Sequence, residues 1–196
     1  INQKFIQNGR KSSTGGKIEA SHWHANGGKM KNERPSLLKK TQAGIRNGSI
    51  TNPITVAIES ENQGGFHSKI SMRQHSFSSD QPFGFNGQNK GPKPSELVLA
   101  AVAACQETTW RIFAEDMGVE IDKIAVRLWG EQDLQGFMAM DEMVPAGFTK
   151  IWGEVLIESP ASMETLLSLQ SVVEKHCPAL DDITRPVPVN LNVKKS

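Results

Sequence analysis

The segment that most limits the fold is a long helical pattern that begins at Pro94 and ends at Gly118. Proline is favoured in the first turn of a helix and glycine just after its end, and the residues between them are rich in alanine. Spacings of three and four residues place five side chains on one face: Leu97, Ala101, Cys105, Thr108 and Ile112. The pattern predicts one long helix, with Cys105 pointing into the protein.

Shorter patterns on both sides of this helix are typical of strands. Before it, β-prone residues at 54–58 and loose alternation over 66–77 predict strands of one antiparallel sheet. After it, alternation predicts two more strands at 124–129 and 151–157. A final strand is predicted at 187–191, at a sheet edge because it contains a proline.

A second amphipathic helix is predicted to follow the last two strands, capped by Ser159 or Ser162. It continues to Cys177, where Pro178 either ends it or starts another short helix. Strands, helix, strands, helix and strand make an α+β order. The regular strand–helix alternation of a doubly wound sheet is missing.

Composition excludes several classes of protein. The chain has 196 residues and a formal net charge of +1, and it contains no apolar run near the roughly 18 residues that a membrane-spanning helix needs. Two cysteines are too few for a secreted disulfide framework. We therefore expect a protein of a reducing compartment, the cytoplasm.

The charge is unevenly spread along the chain. Residues 1–52 carry ten basic and two acidic residues, a net +8, and they contain few large apolar side chains. We interpret 1–52 as a basic polar extension and 53–196 as the folded domain, with a short helix near residues 34–45 docking Leu37, Leu38 and Ile45 on the body. A solvated or subunit-wrapping arm is favoured over a nucleic-acid-binding arm, because no DNA-reading motif accompanies the charge. His22-Trp23-His24 has no third ligand nearby, so no metal site is expected.

Cys105 and Cys177 leave two interpretations open. They are 72 residues apart, so they are no CxxC redox motif and could pair only through the tertiary structure. Cys177 precedes a proline, and the N-cap of a following helix would stabilise its thiolate. Cys105 on an alanine-rich face would also pack well as a small buried apolar residue, and spacing alone favours that structural role.

Three motifs change this balance: Gln81-Pro82-Phe83-Gly84-Phe85-Asn86-Gly87, then Gly91-Pro92-Lys93-Pro94-Ser95-Glu96-Leu97 leading to Ala104-Cys105, and finally His176-Cys177-Pro178. Together they make residues 54–193 resemble the OsmC/Ohr family, the osmotically inducible protein C and organic hydroperoxide resistance proteins. The resemblance implies a two-layer OsmC-like α+β fold with antiparallel sheets. It further implies an intertwined homodimer with two long central helices.

The same resemblance implies a thiol-dependent peroxidase that reduces organic hydroperoxides without a metal or other cofactor. Cys105 would be the peroxidatic thiolate and Cys177 the resolving thiol. A dithiol reductant, of lipoyl type for example, would restore the pair. The family's catalytic arginine and glutamate correspond to Arg73 and Glu96, although Glu96 stands one place later than in the peroxidases, which rotates a helical side chain by about 100°.

A second function stays open at this point. An OsmC-like protein without catalytic activity could bind an apolar small molecule at its dimer interface. Its two thiols would then be packing residues.

Overall fold

The computed structural model describes residues 34–195, and the His22-Trp23-His24 motif and most of the basic extension lie outside them. The helices are α1 (Leu37–Arg46), α2 (Pro94–Met117), α3 (Leu134–Phe137), α4 (Met163–His176) and α5 (Pro178–Thr184). The strands are β1 (Glu59–Asn62), β2 (Ser68–Met72), β3 (His75–Ser79), β4 (Lys123–Gln132) and β5 (Phe148–Glu158). The α+β class is confirmed. The domain boundary after residue 52 stays a prediction.

Helix α2 forms where the sequence predicts it, because both of its ends carry strong local signals. Pro94 takes the first helical position, and the Glu96 carboxylate accepts a hydrogen bond of 2.9 Å from the Lys93 backbone N–H. At the other end Gly118 adopts a left-handed conformation with φ 69°, which glycine tolerates without steric cost. These two caps fix the length of the helix and hence the position of Cys105 along it.

The buried face of α2 differs from the predicted one. Five of its residues are buried: Val102, Gln106, Thr109, Trp110 and Ala114. Ala101 and Thr108, which the pattern placed inside, are exposed, and Cys105 is half-buried between the two faces. Alanine is compatible with either face of a helix, so the elements that pack on α2 decide which side is buried.

The antiparallel sheets are smaller than predicted. Strands β1, β2 and β3 form one sheet, and β4 pairs with β5 to form a second. Residues 54–58 and 187–191 have no secondary structure, so the two strands predicted there are wrong for the single chain. A strand needs a neighbour for its backbone hydrogen bonds, and alternation in the sequence does not reveal whether a neighbour is present.

The core lies where α2 packs against α4 and β4. It is a cluster of five buried residues: Trp110, Ala114, Ile121, Leu169 and Val173. Leu169 and Val173 of α4 have no exposed surface, and burying such a side chain contributes about 1.5–3 kcal/mol. This cluster fixes α4 against α2, and therefore fixes the point where α4 ends.

Helix α4 ends next to the second cysteine. Ser162 caps its start by accepting a 3.2 Å hydrogen bond from the Thr165 backbone N–H. Pro178, which has no backbone N–H, takes the first position of α5, and Cys177 is the residue between the two helices. The prediction that Pro178 ends one helix or starts another is confirmed in both respects.

Helix α1 packs on α2 through polar groups. The Ser36 hydroxyl donates a 2.6 Å hydrogen bond to Asp116 Oδ1, and Lys39 Nζ lies 3.4 Å from the same oxygen. The Ser36 hydroxyl lowers the pKa of Asp116. The short helix is confirmed, but the predicted burial of Leu37 and Ile45 is wrong, since they stay 52% and 41% exposed.

The loop between β3 and α2 is organised around the Asp80 carboxylate, which is buried. This group accepts hydrogen bonds from the backbone N–H groups of Gln81 (2.8 Å), Gln88 (3.0 Å) and Lys90 (3.2 Å). Burial alone raises the pKa of Asp80, but these hydrogen bonds outweigh burial and lower the pKa below its ordinary value. Ionised Asp80 therefore holds the loop that leads into α2.

We expect Asp80→Asn to reduce the loss of stability in acid. Because the folded-state pKa of Asp80 lies below its unfolded value of 3.8, ionisation stabilises the fold above that value, and the stabilisation is lost as pH falls through the folded-state pKa. Urea unfolding from neutral pH to about pH 3 checks this. Asp182→Asn, at an exposed site, is the matched control and should follow the wild type. Equal acid sensitivity in Asp80→Asn and wild type would contradict the assignment.

Candidate functional site

The two cysteines approach one another in the fold despite their separation of 72 residues. Cys105 is half-buried in the middle of α2, and Cys177 at the start of α5 has no exposed surface. Because α5 packs against α2, the Cys105 side chain is close enough to act on the Cys177 thiol. Both thiols are free.

The environment of Cys177 favours its protonated form. Burial raises the pKa of the Cys177 thiol above 9.0, and the neighbouring Cys105 sulfur raises it further. The Leu180 backbone N–H and the Thr109 hydroxyl lower it, but their combined effect is smaller. The expectation that the helix N-terminus would stabilise a Cys177 thiolate is therefore wrong, because burial dominates. Cys177 is a thiol at neutral pH.

Arg73 and Glu96 lie apart from this pair in the single chain. Arg73 occupies the exposed tip of the β2–β3 hairpin, with a left-handed φ of 51°, and the elements that pack on α2 are α1, α4, α5 and β4. Glu96 is exposed and caps α2, nine residues before Cys105. On a helix that separation corresponds to about 13.5 Å and half a turn around the axis. Their catalytic roles stay predictions.

A groove of about 770 Å³ opens between α2, α4, α5 and the second sheet, and neither cysteine is among the residues that line it. Its walls are mainly apolar and include Val102 of α2, Leu166 and Leu167 of α4 and Ile183 of α5. Trp110 also lines the groove, and its indole Nε1–H is buried with no hydrogen-bond partner among the residues described.

Sequence reasoning missed Gln106 and Thr109, the buried polar residues of α2. Gln106 lines the groove, and Thr109 contacts the cysteine pair. A signal for Thr109 was present, since residues four apart on a helix are neighbours and Thr109 follows Cys105 by four. No local signal distinguishes Gln106 from a surface glutamine.

Two kinds of feature are absent from residues 34–195. These residues contain no group of three or more histidine, cysteine or acidic side chains arranged to hold a metal ion. Within the same range, none of the helices has the length and apolar character needed to cross a bilayer.

A family model and several solved structures match this chain. A family model described as OsmC-like protein matches residues 87–192, more than half of the chain. The chain belongs to the OsmC family. Among solved structures, the OsmC-like protein of Mycoplasma pneumoniae is 20% identical with a TM-score of 0.60, covering 67% of this chain and 88% of the other.

Two further solved structures are similar to this chain. An organic hydroperoxide resistance protein OsmC from Legionella pneumophila is 15% identical with a TM-score of 0.54, over 68% of this chain and 92% of that one. An organic hydroperoxide resistance protein from Elizabethkingia anophelis is 14% identical with a TM-score of 0.51, over 69% and 91% of the two chains. At these identities the likeness shows the OsmC fold alone. A comparison with curated proteins finds no match.

Proposed function

We propose that this OsmC-family protein is a thiol-dependent peroxidase that reduces organic hydroperoxides through Cys105 and Cys177. The observation that carries the proposal is the proximity of the two thiols, brought together by the packing of α5 on α2. Neighbouring thiols can form a disulfide once one of them is oxidised. The names of two structural relatives refer to organic hydroperoxide resistance, which supports the choice of substrate class.

The different environments of the thiols support the order of the steps. Cys105 is half-buried, so a hydroperoxide can approach it, and Cys177 is enclosed and protonated. The Cys105 thiolate attacks the terminal oxygen of the hydroperoxide, so that an S–O bond forms and the O–O bond breaks. Cys105 keeps the hydroxyl as a sulfenic acid, and the alkoxide leaves as the alcohol after it takes from solvent the proton that the Cys105 thiol released on ionisation.

The remaining steps return the protein to its starting state. Cys177 attacks the Cys105 sulfur, an S–S bond forms, the S–O bond breaks, and the hydroxyl leaves as water with the Cys177 proton. A dithiol, such as a dihydrolipoyl group, then reduces the disulfide and is itself oxidised to a disulfide. Such a reductant suits the cytoplasm, where we place the protein, and the cycle needs no metal or other cofactor.

We further propose that the protein acts as a homodimer. Alternate apolar residues of the two unpaired segments are exposed, among them Ile54, Val56, Val189 and Leu191. Such segments gain backbone hydrogen bonds when they join the sheet edge of a second chain. In the single chain Arg73 lies on a hairpin that does not pack on α2, so a catalytic role for Arg73 would require a second protomer. Sedimentation equilibrium of the full chain should give twice the chain mass, and a monomer at micromolar concentration would contradict the proposal.

The peroxidase proposal predicts a preference for organic substrates. With excess dihydrolipoamide, we expect the wild-type chain to consume cumene hydroperoxide at least about tenfold faster than hydrogen peroxide, because the apolar groove that α2 and α5 help to line can hold the organic part of the substrate. Loss of each hydroperoxide is followed directly, with a reductant-only reaction as the control. Equal rates with both peroxides would count against the substrate class, and no consumption of either would count against the activity.

A second candidate function is favoured by the groove itself. Its mainly apolar walls suit an apolar small molecule. In that case the protein would bind rather than react, with the thiols as packing residues. Cys105→Ser should then retain full affinity for the ligand, and the wild type should leave hydroperoxides unchanged.

A further inference from the structure

The Thr109 hydroxyl is within reach of both cysteine residues. Thr109 is 5% exposed, and its hydroxyl donates a 2.7 Å hydrogen bond to the backbone carbonyl of Cys105 one turn earlier on α2. The same hydroxyl interacts with the Cys177 sulfur across the contact between α2 and α5. Cys105, Thr109 and Cys177 therefore form one cluster.

A hydroxyl has one proton to donate and two lone pairs that accept. While Thr109 donates to the Cys105 carbonyl, it can only accept from the protonated Cys177 thiol. When Cys177 loses its proton, the thiolate becomes a stronger acceptor than a carbonyl that is already part of a helix. Rotation about the Thr109 C–O bond then turns the proton towards the sulfur without movement of the backbone.

We propose that Thr109 assists the resolving step by donating its hydroxyl hydrogen bond to the Cys177 sulfur as that sulfur attacks Cys105, and this rests on the peroxidase function proposed above. In that step the Cys177 proton leaves with the sulfenic hydroxyl as water, the S–O bond breaks and the S–S bond forms. Thr109 keeps its own proton throughout. Its part is to stabilise the attacking sulfur and hold it in place.

Among the described side chains around Cys177, Thr109 is the one whose hydrogen bond favours the thiolate. Among the titratable groups of α2, α4 and α5, Cys105 is the one whose charge acts on Cys177, and it opposes the thiolate. His176 of α4 stacks on the Phe113 ring at 5.3 Å, and Asp181 of α5 is paired with Arg185 at 2.6 Å. The Leu180 backbone N–H is the other group that favours the thiolate, and no side-chain substitution removes it.

The chain supplies a matched control one residue away. Thr108 donates the same kind of hydrogen bond, 3.0 Å long, to the Ala104 carbonyl, but its side chain is exposed. Thr108→Val and Thr109→Val therefore remove equivalent helix hydrogen bonds and add the same branched side chain. Only Thr109→Val also removes a donor from the cysteine pair.

The experiment isolates the resolving attack from the reaction with hydroperoxide. One equivalent of 4,4′-dithiodipyridine converts the more accessible Cys105 to a mixed disulfide and releases one thiopyridone. Attack by Cys177 then closes the Cys105–Cys177 disulfide and releases a second thiopyridone, whose rate is recorded against pH. Cys177→Ser should release only the first.

For Thr109→Val we expect ring closure about threefold slower at neutral pH. Loss of the hydrogen bond raises the pKa of the Cys177 thiol, so the thiolate fraction at neutral pH falls, and the gain in intrinsic nucleophilicity of the more basic thiolate recovers only part of that loss. The midpoint of the pH profile should move up by about one unit. Thr109→Ser should restore both, and Thr108→Val should match the wild type.

Wild-type closure and an unmoved pH midpoint in Thr109→Val would overturn the proposal. Slowing of equal size in Thr108→Val or in Thr109→Ser would also overturn it, because the effect would then belong to the helix or to side-chain shape. No hydroperoxide enters this assay, so a failure of the peroxidase function is recognised separately, by the consumption measurements.

Discussion

The Cys105→Ser variant is expected to consume organic hydroperoxides at less than about one hundredth of the wild-type rate. A serine hydroxyl is essentially un-ionised at neutral pH and is a far weaker nucleophile than a thiolate, so the first step is lost. Cys105 is half-buried, and its replacement by a smaller polar side chain leaves the core cluster of α2 and α4 untouched. Loss of cumene hydroperoxide in the presence of dihydrolipoamide gives the rate.

Cys177→Ser is the matched control for this prediction, because it removes one thiol and leaves the attacking one. It should reduce one equivalent of hydroperoxide per chain and then slow, with a sulfenic acid at Cys105 that dimedone traps. Undiminished turnover in Cys105→Ser would exclude Cys105 as the peroxidatic residue. A full first turnover in both variants would assign the reaction to some other group.

Leu169→Ala is expected to have the largest effect on stability, lowering the free energy of unfolding by about 3–5 kcal/mol. Leu169 has no exposed surface and packs in the cluster that joins α4 to α2. Removal of its isopropyl group leaves a cavity that helices held at both ends cannot close. Because this cluster also fixes the end of α4, where Cys177 lies, the variant should form the Cys105–Cys177 disulfide more slowly.

Urea unfolding measured by circular dichroism gives the free energies. Leu37→Ala on α1, at a leucine that is 52% exposed, is the control for the chemical change and should cost less than about 1 kcal/mol. If Leu169→Ala costs no more than Leu37→Ala, then the packing of α4 on α2 is wrong, and the position of Cys177 with it.

The elements that the sequence predicts correctly are those with local causes. Helix α2 has a proline and a capping glutamate in its first turn and a glycine just after its end. The long strands β4 and β5 alternate between apolar and polar residues and pair with each other in the structure. Residues 54–58 and 187–191 alternate equally well but pair with no strand among residues 34–195. Alternation of apolar and polar residues indicates that a segment can form a strand, whereas the presence of a neighbouring strand depends on the tertiary structure.

The site shows the same division between local and tertiary causes. Motifs point to Cys105 and Cys177, but their proximity depends on the packing of α5 against α2, which no local pattern encodes. The helix N-cap at Cys177 is predictable, but the burial that raises its pKa is not, because burial depends on what surrounds the residue. The four-residue helix spacing predicts that Thr109 is a neighbour of Cys105, but its interaction with Cys177 depends on the tertiary packing of α5 on α2.

The most direct test of a peroxidase reaction through Cys105 and Cys177 is a thiol count with peptide mass mapping after one equivalent of an organic hydroperoxide. A sample treated with hydrogen peroxide and an untreated sample are measured beside it. The two-cysteine peroxidase mechanism predicts rapid loss of both thiols and a Cys105–Cys177 linked peptide that forms faster with the organic oxidant. Survival of both thiols would contradict the peroxidase function, and it would leave ligand binding in the groove as the function to pursue.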